Sequence, residues 1–223
     1  MKQYFVTGTD TEVGKTYVTC QLLRATQAIS KSSVGYKPIA AGCDKVNGEW
    51  VNEDALAIQQ ASSLKLPLSI VNPISLVPPI APHIAAAEAG VSLSEHTISQ
   101  GLSQLQQYKP DVLLMEGAGG WRLPLSESTY LPDVVAKLNM EVILVVGMKL
   151  GCLNHALLTA EAITHDGFNI KGWVANDITG EMPRYKENLA TLKHALPAPL
   201  LLEVPYQVAP NSQELISAVQ QLC

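Results

Sequence analysis

Two short stretches constrain the fold more than any others. "DVLLMEG" (111–117) and "EVILVVG" (141–147) are continuous apolar runs, each closed by glycine. Such runs are too short to span a bilayer, and they suit strands covered on both faces, as in a parallel sheet. Further strands are expected at 3–8, 33–38, 170–177 and 199–205. Helices are expected at 15–29, 53–62, 93–109, 152–166, 183–195 and near the C-terminus. In the first helix Val18, Leu22, Ala25 and Ile29 share one face. This alternation predicts an α/β fold, a doubly wound and mostly parallel sheet with helices on both faces, in one domain over 1–223. One section breaks the rhythm. The proline-rich "NPISLVPPIAPHIAAAEAG" (72–90) reads as a structured loop over the site or as a partner surface.

Composition narrows the partners. With 223 residues and 47% hydrophobic content the chain holds a substantial core. Its formal charge is -5 and its Lys and Arg residues are scattered, so nucleic acid is not an expected partner. The apolar start, Tyr4-Phe5-Val6, is far shorter than a signal peptide's apolar region, and no membrane association is expected. Cys20, Cys43, Cys152 and Cys223 form no Cys-x-x-Cys pair and read as reduced thiols of a cytoplasmic chain.

The chemistry starts at "GTDTEVGKT" (8–16). A strand feeds a glycine loop that ends in Gly14-Lys15-Thr16, the pattern of a phosphate-binding loop. The usual pattern has four residues between its glycines; here Thr9, Asp10, Thr11, Glu12 and Val13 make five. In a strand–loop–helix setting the backbone N–H groups surround an anion at a helix N-terminus. Lys15 then reaches the outer phosphates, and the Thr16 hydroxyl is placed to ligate Mg²⁺.

Other polar residues follow expected strands, at the sheet edge where ligands of such folds collect. Glu116 reads either as a divalent-metal partner or as a helix-capping or turn acid. Asp54, in "NEDAL", reads as a helix N-terminal acid from its spacing alone. Lys37, in "GYKP", is either a second lysine that stabilises a transferred phosphoryl group or a solvated strand-end lysine. Five histidines show no metal-ligand spacing, and there is no Gly-x-Ser-x-Gly elbow. The residues alone point to a Mg-nucleotide phosphoryl-transfer enzyme.

Taken together, "GTDTEVGKT", "GYKP", "EGAGG", "VVGMKLGCLNH" and "GWVAND" resemble the ATP-dependent dethiobiotin synthetases, in the same order and over nearly the whole chain. The resemblance implies a P-loop NTPase-like fold and a Mg²⁺-dependent ring closure, with ATP as co-substrate. The diamine 7,8-diaminononanoate takes up CO2 as a carbamate, ATP phosphorylates it, and the second amine closes a cyclic urea. It also implies the site. Glu12, Val13, Gly14, Lys15, Thr16 and Tyr17 would hold ATP phosphates, and Thr16, Asp54 and Glu116 would gather around Mg²⁺. Lys37 becomes the catalytic lysine, with Lys15 beside it. Thr11, Glu12 and Ala41 would lie near the carbamate; a serine is the family's residue at position 41. Gly117, Ala118 and Gly119 would line the nucleotide, Asn176 and Asp177 would meet adenine, and Pro205, Tyr206 and Gln207 would close over it. Gly151, Cys152 and Leu153 would hold the substrate's carboxylate across a homodimer interface. The rival of another class is an ATPase switch of the partitioning or metallochaperone type, which hydrolyses nucleotide without a small-molecule acceptor.

Overall fold

The computed structural model describes residues 1–223. Its central sheet has six strands: β1 (Lys2–Gly8), β2 (Ser33–Tyr36), β7 (Val112–Gly120), β8 (Glu141–Met148), β9 (Ile170–Asp177) and β10 (Leu200–Val204). They lie in the order β10–β9–β8–β1–β7–β2, and every pairing is parallel. Two small two-stranded sheets stand beside it, one pairing β3 (Ile39–Ala41) with β6 (Ile74–Leu76), the other β4 (Asp44–Val46) with β5 (Glu49–Val51). The long helices are α1 (Lys15–Ala28), α2 (Glu53–Ala61), α5 (Glu95–Gln106), α7 (Cys152–His165), α8 (Tyr185–Ala195) and α9 (Ser212–Leu222). Shorter ones are α3 (Leu68–Val71), α4 (Pro82–Ala89) and α6 (Leu131–Val135).

From β1 the chain crosses toward the β2 edge, whereas from β7 through β10 it travels the other way. Right-handed crossovers therefore put α1 on one face and α7 and α8 on the other. α9 returns to the first face and packs on α1. The reversal leaves a crevice at the carboxyl ends of β1 and β8, the usual ligand position of an open α/β sheet.

The apolar runs behave as expected of doubly covered strands. Val112–Met115 and Val142–Val146 are wholly buried in one continuous apolar cluster that extends from β1 to α9. Burying each such side chain contributes about 2 kcal/mol.

Two expectations need correction. β7 does not end near Glu116 but continues to Gly120, because the small residues Gly117–Gly120 stay beside β1, where Gly8 pairs with Gly120 beyond a register shift. The 72–90 segment is not a loop throughout. It holds β6, which pairs with β3, and α4, whose Pro82 occupies the first helical turn, where a missing N–H costs nothing. Its Pro79–Pro82 stretch does line the main cavity. All four cysteines are free.

Candidate active site

The glycine loop runs from Gly8 at the end of β1 to Lys15 at the start of α1. Two residues in it have left-handed backbone, Glu12 at φ 59° and Gly14 at φ 83°. Gly14 is required twice over: a side chain there would be strained, and its Cβ would strike the Asn176 amide. That amide donates to Val13 O at 2.8 Å, which ties the end of β9 to the loop. The first backbone bond of α1 is Val18 N–H to Gly14 O, so the N–H groups of Lys15, Thr16 and Tyr17 have no backbone acceptor. A helix N-terminus in this condition binds anions through its free donors and its dipole. Lys15 lies buried along the loop, its ammonium donating to Asp10 O at 2.8 Å. Burial lowers its pKa to about 8, although Glu116 nearby opposes the shift.

Below the loop sits a buried charge cluster. Glu116 is 0% exposed. Its Oε1 accepts from the Thr16 hydroxyl at 2.7 Å and from the Lys37 ammonium at 2.7 Å. Lys37, 4% exposed, also stands 3.5 Å from Asp54 Oδ2. Burial alone would depress the Lys37 ammonium, but the two carboxylates outweigh it and hold its pKa above the ordinary lysine value. Lys37 is thus no solvated strand-end residue, and Glu116 is no helix cap.

Glu116 Oε2 is buried without a hydrogen-bond partner. An anionic oxygen in that condition is costly unless a cation meets it. Thr16 Oγ1, Asp54 and Glu116 form an all-oxygen set of the kind Mg²⁺ uses with phosphate oxygens to complete its shell. No three His, Cys, Asp or Glu side chains stand together as a metal cluster, so ligand oxygens would supply the remaining positions.

Thr11, Glu12, Gly14–Tyr17, Lys37, Ala41, Asp54, Ala118 and Gly119 all line one cavity of about 890 Å³. Adjoining it through Glu12 and Tyr17 is a groove of about 430 Å³, lined by Asn176, Asp177 and Pro205–Gln207. Gly117 does not line the cavity; it lies inside β7, where the Phe5 ring packs against it. Val13 offers only its backbone, since its side chain is fully buried. Gly151, Cys152 and Leu153 also lie outside the cavity, at the start of α7. There the Cys152 N–H already donates to Lys149 O at 3.0 Å, while Gly151 and Leu153 have no backbone acceptor.

Asn52 carries no motif signal beyond its place before α2, yet it holds two walls of the cavity together. Its Oδ1 caps α2 by accepting from Ala55 N–H at 3.2 Å, and its Nδ2 donates to Ala41 O at 3.0 Å. The helix that carries Asp54 is thereby fixed to β3.

An AAA domain family model matches residues 2–213. Among solved structures, the MinC:MinD cell division protein complex of Aquifex aeolicus aligns with a TM-score of 0.60 at 16% identity, covering 100% of this chain and 96% of that one. Chloroplast FtsY from Physcomitrella patens aligns at 0.53 and 15%, covering 98% of this chain and 64% of that one. At such identities these likenesses concern the fold alone. Sequence relatives say more. The ATP-dependent dethiobiotin synthetase BioD of Alteromonas mediterranea is 67% identical over 100% of both chains. BioD 1 of Escherichia coli O157:H7 is 50% identical over 92% of this chain and 91% of its own, and the BioD of Aeromonas hydrophila 49% over 96% and 95%. With full-length identity of this order, and a phosphate loop built onto a buried lysine–carboxylate cluster, this chain belongs to the ATP-dependent dethiobiotin synthetase family, ligases of biotin biosynthesis.

Proposed function

We propose that this single-domain chain closes the ureido ring of dethiobiotin from 7,8-diaminononanoate and CO2 in the cytoplasm, with Mg²⁺ and ATP. The observation that carries this reading is the sharing of Glu116 Oε1 between the phosphate loop's Thr16 and the buried Lys37. It sets the Lys37 ammonium against the same carboxylate oxygen that holds the phosphate loop's Thr16, which supports a role for Lys37 beside the terminal phosphate.

In this reading the free N–H groups of Lys15–Tyr17 grip the phosphates, and Lys15 exchanges the Asp10 carbonyl for a phosphate oxygen. Thr16, Asp54 and Glu116 would hold Mg²⁺, which supplies charge neutralisation on the phosphates when bound. Lys37 faces the carbamate oxygen and the γ-phosphoryl group as charge moves between them. After transfer, the second amine attacks the carbamic–phosphoric anhydride, the ring closes and phosphate leaves. The main cavity's volume supports a second reactant beside the phosphates, and the adjoining groove between Asn176 and Tyr206 suits an adenine ring. Ala41 contributes a methyl group and a carbonyl but no hydroxyl, so any hydrogen bond there comes from backbone or water. Gly151–Leu153, outside this cavity, fit the substrate's carboxylate in a homodimer, where the exposed Leu150 and Leu158 would be covered.

The test is incorporation of labelled bicarbonate into acid-stable product with Mg-ATP, with and without the diamine. Diamine-dependent incorporation matched by ADP release is expected. ATP hydrolysis indifferent to the diamine, with no label fixed, would move the assignment to an ATPase switch.

A further inference from the structure

Lys37 stands in an awkward place for a residue that must be held accurately. It follows the last residue of β2, the edge strand of the central sheet, so the sheet ladder offers its carbonyl nothing. Pro38 comes next and contributes no N–H. The Lys37 backbone is held instead by the last residue of α3 and the segment that follows it. Lys37 N–H donates to Val71 O at 2.9 Å, and Ile74 N–H donates to Pro38 O at 3.1 Å. The Lys37 carbonyl accepts from the Asn72 side chain, Nδ2 to O, at 2.7 Å.

Asn72 is 4% exposed and spends its whole amide on this junction. Its second Nδ2 hydrogen goes to Ile74 O at 3.2 Å, and its Oδ1 accepts from the Ser75 hydroxyl at 2.8 Å. The two carbonyls orient the amide, since a carbonyl only accepts and so demands the NH2, and the Ser75 hydroxyl then donates to the oxygen that remains. We infer that Asn72 is a positioning residue for the ring-closing reaction: it fixes the peptide from which Lys37 projects, and thereby the placement of the ammonium over the transferred phosphoryl group. This rests on the reading of Lys37 as the catalytic lysine. Asn72 does not line the cavity and makes no hydrogen bond to Glu116, and the bond it makes to the catalytic machinery is the one to the Lys37 carbonyl.

A mutant cycle tests this. Asn72→Ala is measured alone and combined with Lys37→Gln, which keeps a hydrogen-bond donor for Glu116 but removes the charge. Assays run well below the melting temperature of each variant. Misplacement by about 1 Å is worth about 100-fold, so Asn72→Ala should lower kcat by about 10- to 100-fold. Its KM for ATP should stay near the wild-type value. In the Lys37→Gln background the same change should cost less than about twofold. If Asn72→Ala does not fold, Ser75→Ala, which removes only the hydrogen bond that anchors the amide oxygen, takes its place with a smaller loss of the same pattern. Equal losses in both backgrounds, or a loss confined to KM for ATP, would overturn the positioning role. Full turnover by Lys37→Gln alone would overturn the assignment of Lys37 itself, and the positioning role with it.

Discussion

Lys15 is held at a cost to the folded chain, and the size of that cost follows from its surroundings. Burial lowers its pKa from 10.5 to about 8, so keeping it charged in the fold costs about 3 kcal/mol. Replacement by methionine keeps the stem and removes the charge. The lost bond to Asp10 O returns about 1 kcal/mol of the gain, leaving the Lys15→Met protein more stable by about 2 kcal/mol at pH 7. For a chain of this length that corresponds to about 4–8 °C in melting temperature. The sign with pH is definite. Below about pH 8 both folded and unfolded Lys15 are protonated, and the cost is fully present. Between about 8 and 10.5 the unfolded chain binds more protons at this site, so the wild-type protein gains stability as pH rises. The assay is urea unfolding of both proteins at pH 7 and pH 10 without nucleotide, compared as a difference so that other titrating groups cancel. The gap should shrink from about 2 kcal/mol to about zero. A less stable Met variant at pH 7, or a gap indifferent to pH, would refute the reasoning. Addition of Mg-ATP should stabilise the wild type more than the variant, which lacks the lysine proposed to meet the phosphates.

The remaining predictions concern the cluster and its supports. Lys37→Ala should cut kcat by about 100-fold or more while KM for ATP changes little, as its proposed action on developing charge requires; steady-state kinetics decide it. Glu116→Gln should raise the Mg²⁺ concentration needed for half-maximal turnover by at least about tenfold, read from a metal titration at saturating ATP. Asn52→Ala removes a helix cap and a buried bond to Ala41 O, and should cost about 2 kcal/mol in urea unfolding.

Much of this protein is written locally. The runs at Val112–Met115 and Val142–Val146 suit doubly covered strands by their length and glycine ends, and both lie buried within the parallel sheet. "GTDTEVGKT" between a strand and a helix reads as an anion cradle from its glycine spacing, and in the structure the N–H groups of Lys15–Tyr17 have no backbone acceptor. Relations between distant residues were not legible. Asp54 alone read as a helix-end acid; it becomes part of the site only because Lys37 lies 3.5 Å away. Lys37 and Glu116 are 79 residues apart, and only the pairing of β2 with β7 makes them neighbours. The proline-rich 72–90 segment misled for the same reason. Pro82 opens a helix instead of preventing one, and β6 exists only because β3 stands beside it. Asn72 and Asn52 carried no motif at all, because a side-chain amide earns a role from whichever carbonyl the tertiary structure brings within 3 Å. Periodicity and glycine spacing are properties of neighbours along the chain; charge neutralisation and carbonyl clamping belong to neighbours in space.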